Sequence, residues 1–130
     1  MILYFHPFSS YCQKVLMALY EADLPFEPRS VNLGSEEERE MLARLWPVGK
    51  FPVLEDDGRI VAESSIIIEY LERYRGGSGL IPADPEEALE VRFMDRFFDN
   101  HVQTPLQAVV GEALRPDGSP ARAESCWIMP

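Results

Sequence analysis

The chain is poor in the residues that build metal sites and disulfide frameworks: its 130 positions include two cysteines and two histidines. Cys12 and Cys126 stand far apart, which is not the spacing of a small secreted scaffold, so a reducing cytoplasm is the expected compartment. His6 and His101 belong to no Cys/His cluster of metal-ligand spacing, and no metal is expected. Long apolar runs are missing too, and Met1 leads into apolar sequence without a basic leader or cleavage site, so no membrane association is expected. A phosphate-cradling loop is also absent, since Gly76-Gly77-Ser78-Gly79 follows a helical pattern and reads as a C-cap and linker. Positive charge is scarce. Twelve Lys and Arg face 22 Asp and Glu, a net charge of -10, which argues against nucleic acid as a partner. A small anionic substrate then needs local positive groups to offset the field of the whole chain.

What the chain does have is apolar content of 46%, enough for the core of one domain, or of one small domain plus part of another. Residues 2–5 read as a short strand. Beyond a Ser-rich turn, Cys12, Val15, Leu16 and Leu19 recur at i, i+3, i+4 and i+7, one face of a helix. Ser9 or Ser10 is the expected N-cap, its hydroxyl accepting from a free N–H of the first turn. The other free N–H groups and the positive end of the helix dipole then face the space above the turn, a place suited to an anion such as a thiolate. This helix start is the candidate active site. His6, in the turn, is placed to orient it.

Asp23-Leu24-Pro25 ends the first helix, and residues 26–33 read as a second strand in which Pro28 marks an edge. Ser35 caps the acidic run Glu36-Glu37-Glu38, a solvated helix start rather than an acid/base set, and that helix runs to about Leu45. The segment from Trp46 to Pro52 leads into a strand at 53–55, and Asp57-Gly58 supplies a tight turn into a fourth strand at 59–62. Ser64 is the expected N-cap of the next helix. Glu63 just before it is a carboxylate that capping does not require. Glu63 paired with an ammonium, while Ser64 and neighbouring N–H groups hold a carboxylate, describes a site for an α-amino-acid head group. Asp84-Pro85 then opens a longer helix, whose stripe of Leu89, Phe93, Met94, Phe97, Phe98 and Val102 is expected to bend at Thr104-Pro105 without ending. His101 beside the stripe reads as structural. Residues 116–122 are loop-like, and 124–130 carry no usable pattern.

Ser9-x-x-Cys12 at a strand-to-helix turn is the layout of the thioredoxin and glutaredoxin Cys-x-x-Cys, with Ser9 in place of the attacking thiol. Intramolecular disulfide chemistry is thereby lost, and a site that holds another molecule's thiol is left. With the order βαβαββα, the loop Val48-Gly49-Lys50-Phe51-Pro52 and the pair Glu63-Ser64, the α/β chain resembles the soluble glutathione S-transferases, among them the bacterial Ser-type enzymes near the theta and zeta classes. The resemblance implies a thioredoxin-like N-terminal domain at 1–78, a linker at 79–84, and the start of an all-α C-terminal domain at 85–130. It also implies roles. Ser9, or alternatively Ser10, donates its hydroxyl hydrogen to the glutathione sulfur and stabilises the thiolate. Phe51, before a cis Pro52, offers its backbone to the cysteinyl part, Lys50 neutralises the glycine carboxylate, and Glu63 and Ser64 hold the γ-glutamyl head. The implied reaction joins the glutathione thiolate to a small electrophilic, mostly apolar substrate; the family pairs its subunits across both domains, and Ile66, Ile67 and Ile68 offer apolar surface for the first half of such a homodimer interface, whose second half is incomplete here.

Departures from the family pattern bear on this reading. Trp46 stands where many members have Asn. Tyr11 and Cys12 replace the zeta pattern Ser-Ser-Cys, which weakens a maleylacetoacetate-isomerase role. The later helices of the family's second domain find no match, so much of the electrophile pocket is expected to be missing, Phe93, Phe97 and Phe98 to be left uncovered, and the tail from Ala123 to be truncated or frame-shifted. Two other classes stand beside the transferase: a non-catalytic binding or assembly module on the same fold, and glutaredoxin-like redox work through Cys12. The second is disfavoured by the place of Cys12 on the buried helix face.

Overall fold

Alternation along the first strand decides the layering. In β1 (Ile2–Phe5), Leu3 and Tyr4 are both buried and point to opposite faces of the sheet, as successive strand residues must. Leu3 packs with Val15, Leu16 and Leu19 of α1 (Ser10–Glu21) and with Ile67 and Leu71 of α3 (Ser64–Tyr74). Tyr4 packs on the other side with Val31, Val53 and Leu42, the last from α2 (Glu36–Leu45). Two helices therefore cover one face and one covers the other. Each fully buried Leu, Ile or Val in these clusters contributes about 1.5–3 kcal/mol.

The computed structural model describes residues 1–113; the loop expected at 116–122, Cys126 and the tail from Ala123 lie outside the described residues. The sheet runs β2-β1-β3-β4, with β2 at Glu27–Ser30, β3 at Val53–Asp56 and β4 at Arg59–Ala62. β1 is parallel to β2 and antiparallel to β3, and β3 and β4 form an antiparallel hairpin. This is the thioredoxin-like βαβαββα arrangement. Pro28 lies on the exposed edge strand, opposite Leu3. β2 is shorter than the expected 26–33, because Asn32 turns the chain: its side chain accepts the Gly34 N–H at 2.9 Å and its carbonyl the Ser35 N–H at 3.0 Å.

Helix starts follow the caps with one correction. Ser35 accepts the Glu38 N–H, and Asp84 accepts the N–H groups of Glu86 and Glu87 at 3.0 and 3.1 Å. Ser64, in contrast, is not the N-cap of α3 but its first residue. The cap position falls to Glu63, whose φ of 70° turns the chain sharply and whose side chain caps nothing. Helix α4 (Pro85–Phe97) passes into a π-helical segment (Phe98–Gln103) and then α5 (Thr104–Ala113). The wider turn falls just ahead of Pro105, which has no N–H to donate, and the helical region continues past it. Phe93, Phe97 and Phe98 are all exposed. The chain divides into two compact units, Met1–Asp95 and a second that starts at Arg96. Among the described residues no helix is long and apolar enough to cross a membrane.

Candidate active site

Strand register gathers the motifs that are scattered in sequence. Tyr4 pairs with Val53, and Val53 with Ala62, so the three residues form one row across the sheet. One step from that row lie Phe5 and the turn into α1, then Pro52, then Glu63. The Ser9 turn, the Phe51–Pro52 loop and the Glu63–Ser64 corner thus occupy one end of the sheet.

The turn is held by its own backbone. Ser9 N–H donates to the His6 carbonyl at 3.0 Å, the Gln13 side chain donates to the Pro7 carbonyl at 2.7 Å, and the Phe8 N–H donates to His6 Nδ1 at 3.3 Å. Ser9 is the N-cap of α1: its extended backbone enters the helix, and its Oγ accepts the Cys12 N–H at 3.3 Å. Accepting does not consume the hydroxyl proton, so Ser9 keeps a donor for a ligand. Ser9 itself is buried, and the Ser10 hydroxyl beside it is buried with no hydrogen-bond partner. A buried hydroxyl left without a partner is uncommon enough to require a reason.

His6 stacks on Phe51, with ring centroids 5.6 Å apart and planes at 17°, and so ties the turn to the neighbouring loop. The Phe51–Pro52 peptide is cis. Phe8 stands almost fully exposed at the tip of the turn, tilted against His6 at 5.7 Å. Lys50 is exposed and makes no ion pair among the described residues, so the structure places it near the loop but not against any partner. Ser64 is buried at the first position of α3. Glu63 is exposed, and its positive φ is a conformation that costs a non-glycine residue about 1–3 kcal/mol and clusters at functional sites.

Cys12 is fully buried beneath the turn. Burial pushes its thiol up from the ordinary value, and hydrogen bonding with Ser9 and the His6 backbone offsets this only in part. A protonated, enclosed thiol is a poor nucleophile, which removes the ground for redox work at Cys12. Among the described residues no group of His, Cys, Asp and Glu side chains forms a metal site.

Sequence reasoning missed three side chains near this end of the sheet. Lys14 of α1 donates to Asp95 of α4 at 2.6 Å and to Ser65 of α3 at 3.1 Å, and Ser65 donates to Asp95 at 2.5 Å. The partners are separated by 51 and 81 positions in the chain, so no local pattern announces them. Phe8 was also passed over, although an aromatic beside a Ser-rich turn is a visible signal.

The known proteins with which the chain compares share this architecture. Residues 3–79 match the family model described as the glutathione S-transferase N-terminal domain. A glutathione S-transferase of Pseudomonas putida strain F1 is 32% identical over 106 residues, covering 82% of this chain and 47% of that protein. A probable maleylacetoacetate isomerase of Caenorhabditis elegans is 32% identical over 102 residues, covering 78% and 48%. A crystal structure of a glutathione S-transferase from Methylobacillus flagellatus KT with glutathione bound superposes with a TM-score of 0.77 at 30% identity, covering 90% of this chain and 57% of that one. The chain spans about half the length of the curated relatives it matches. With the family model matched over more than half of the chain and the Pseudomonas putida protein 32% identical over 82% of it, the chain belongs to the glutathione S-transferase family.

Proposed function

We propose that this chain binds glutathione across the three loops at the end of the sheet and activates its thiol for attack on a small electrophilic, mostly apolar substrate. The observation that carries this reading is the row Tyr4–Val53–Ala62, which sets the Ser9 turn, the Phe51–Pro52 loop and Glu63 at the same end of three adjacent strands, neighbours in a sheet lying about 4.8 Å apart. Ser9 donates its hydroxyl proton to the sulfur, with Ser10 the alternative donor, and the N-terminal end of α1 adds its dipole. Stabilising the thiolate lowers the bound thiol's pKa and raises the fraction of nucleophile at neutral pH. A serine hydroxyl is too weak a base to take the proton itself, so solvent accepts it. Phe51 presents its backbone to the cysteinyl part. Lys50 meets the glycine carboxylate, Glu63 the γ-glutamyl ammonium, and Ser64 with the first N–H groups of α3 the head-group carboxylate. Phe8 offers an apolar wall to the second substrate.

On this reading residues 1–78 form the glutathione-binding domain, 79–84 a linker, and the helices from 85 onward the start of a helical domain. The protein acts as a cytoplasmic homodimer. A second reading, glutathione-dependent isomerisation, draws on the similarity to the probable maleylacetoacetate isomerase. Both begin with the same bound thiolate.

Titrating glutathione calorimetrically in two buffers of different ionisation heat tests the common step. Binding with release of close to one proton near pH 7 is expected. A folded chain that fails to bind would leave the non-catalytic module in its place.

A further inference from the structure

Phe8 is 92% exposed and stands one residue before Ser9. A ring so open to water takes its direction from the backbone that carries it. The Ser9 N–H donates to the His6 carbonyl at 3.0 Å, which closes a four-residue turn with Pro7 and Phe8 at its centre. That closing bond uses neither polar group of the central Pro7–Phe8 peptide. Two side chains take them instead: Gln13 of α1 donates to the Pro7 carbonyl at 2.7 Å, and the Phe8 N–H donates to His6 Nδ1 at 3.3 Å.

At the first turn position His6 does what Asp or Asn does in an Asx-turn, where a side-chain acceptor holds the N–H two residues on. An imidazole adds what a carboxamide lacks, a ring. The His6 ring is half-buried, tilted against Phe8 at 5.7 Å and stacked on Phe51 at 5.6 Å with planes at 17°. Phe51 in turn packs against the cluster of Tyr4, Val31, Leu42 and Val53. The three rings Phe8, His6 and Phe51 therefore lead from the solvent to the core of the sheet.

We propose that His6 is a positioning residue with two separable duties. Through Nδ1, and with Gln13, it fixes the Pro7–Phe8 peptide so that the Phe8 ring stands as a wall for the group carried on the glutathione sulfur. Through its ring it steadies the Phe51 loop that receives the tripeptide backbone. Gln13 shares the first duty and has no part in the second. A wall held in place before the ligand arrives spares the complex the cost of ordering it.

This inference rests on the glutathione reading, and the test separates the two. S-methylglutathione and S-benzylglutathione share the tripeptide and differ in the group on sulfur, so the ratio of their affinities reads the wall. Both are titrated calorimetrically into the wild-type chain, Phe8→Ala, His6→Phe, His6→Asn and Gln13→Met, and the thermal midpoint of each is recorded. The wild-type chain is expected to favour the benzyl ligand about threefold to tenfold, the size of one aromatic contact, and Phe8→Ala to abolish the preference. His6→Phe keeps a ring for Phe51 without the acceptor, and Gln13→Met removes the donor, so both should lose most of the preference. His6→Asn keeps the acceptor without the ring: it should retain the preference while both ligands weaken by the same factor, about twofold to fivefold. Full preference in folded His6→Phe, its loss in His6→Asn, or no preference in the wild-type chain overturns the positioning role and leaves the glutathione reading in place. Binding of neither ligand by the wild-type chain overturns both.

Discussion

Two adjacent serines with different surroundings make the sharpest comparison at the scale of single residues. The Ser9 hydroxyl already accepts the Cys12 N–H, so replacing it removes a helix cap as well as the thiolate donor proposed above. Ser9→Ala is therefore expected to cost about 1 kcal/mol of stability and about 10² to 10³ in conjugation rate. The Ser10 hydroxyl is buried and supports no bond, so Ser10→Ala is expected to leave stability unchanged or to raise it. Thermal unfolding together with single-turnover rates for the two variants separates the roles. A rate loss on Ser10→Ala as large as on Ser9→Ala would assign the donor to Ser10. Which hydroxyl serves the helix was open in the sequence, because Ser at either position can cap. Glu63 shows the opposite limit: a carboxylate before a serine drew attention to the pair, but the positive φ that makes Glu63 the cap residue is set by the path from β4 into α3 and has no signature in the letters.

Among the elements, the end of α3 carries its own clasp. Glu72 accepts from the Ser78 hydroxyl at 2.8 Å and from the backbone N–H groups of Ser78, Gly79 and Leu80. Desolvation pushes the Glu72 carboxyl up, but these hydrogen bonds outweigh it and hold the group below the ordinary glutamate range. A carboxyl whose pKa is depressed on folding contributes stability above its unfolded value and loses that contribution as pH falls through the folded one. Glu72→Gln should thus lower the thermal midpoint at pH 7 and flatten its decline below about pH 5, and amide exchange at 78–80 should quicken in the variant. A midpoint that falls with acid as steeply as in the wild-type chain would speak against the clasp. Gly77, with φ of 60°, wraps so closely that a Cβ there would collide with the Glu72 carboxylate and its Cα. The glycine-rich stretch was legible as a C-cap and linker, since Gly is the residue that turns readily through positive φ. That a glutamate five residues earlier gathers the linker's N–H groups was not legible, because any of the acidic residues of α3 satisfies the helical pattern equally well. The four strands and the first three helices were readable for a simpler reason: the short apolar run of β1 and the 3.6-residue spacing of α1 both report burial that the sheet and its covering helices require.

For the whole molecule, charge sets the terms of binding. The chain carries a net charge of -10, and an anionic tripeptide approaches against that field unless a local cation offsets it. Lys50 is exposed and unpaired among the described residues, which suits this task. Lys50→Met is expected to weaken glutathione binding about threefold to tenfold at low salt, with the gap to wild type shrinking as ionic strength rises from 0.05 to about 0.5 M, since exposed charges are screened over about 10 Å or less in that range. A salt-independent gap would point to a packing role for the lysine stem instead. Topology was legible at this scale because the motif order βαβαββα admits few sheet arrangements. The Lys14–Asp95–Ser65 triangle was not, since it joins three helices through residues that each look like ordinary surface positions.

The hairpin β3–β4 has Pro52 just before its first residue and Glu63 just after its last, so both ends of the proposed binding surface belong to one ribbon of chain. A ligand that grips the Phe51 backbone at one end and Glu63 at the other bridges the two feet of that ribbon and acts as a removable clasp. Opening the hairpin then means letting go of the ligand. Its amides should accordingly be the ones whose exchange with solvent slows most when glutathione is added, and occupancy of the site becomes a measure of how tightly this edge of the sheet is shut.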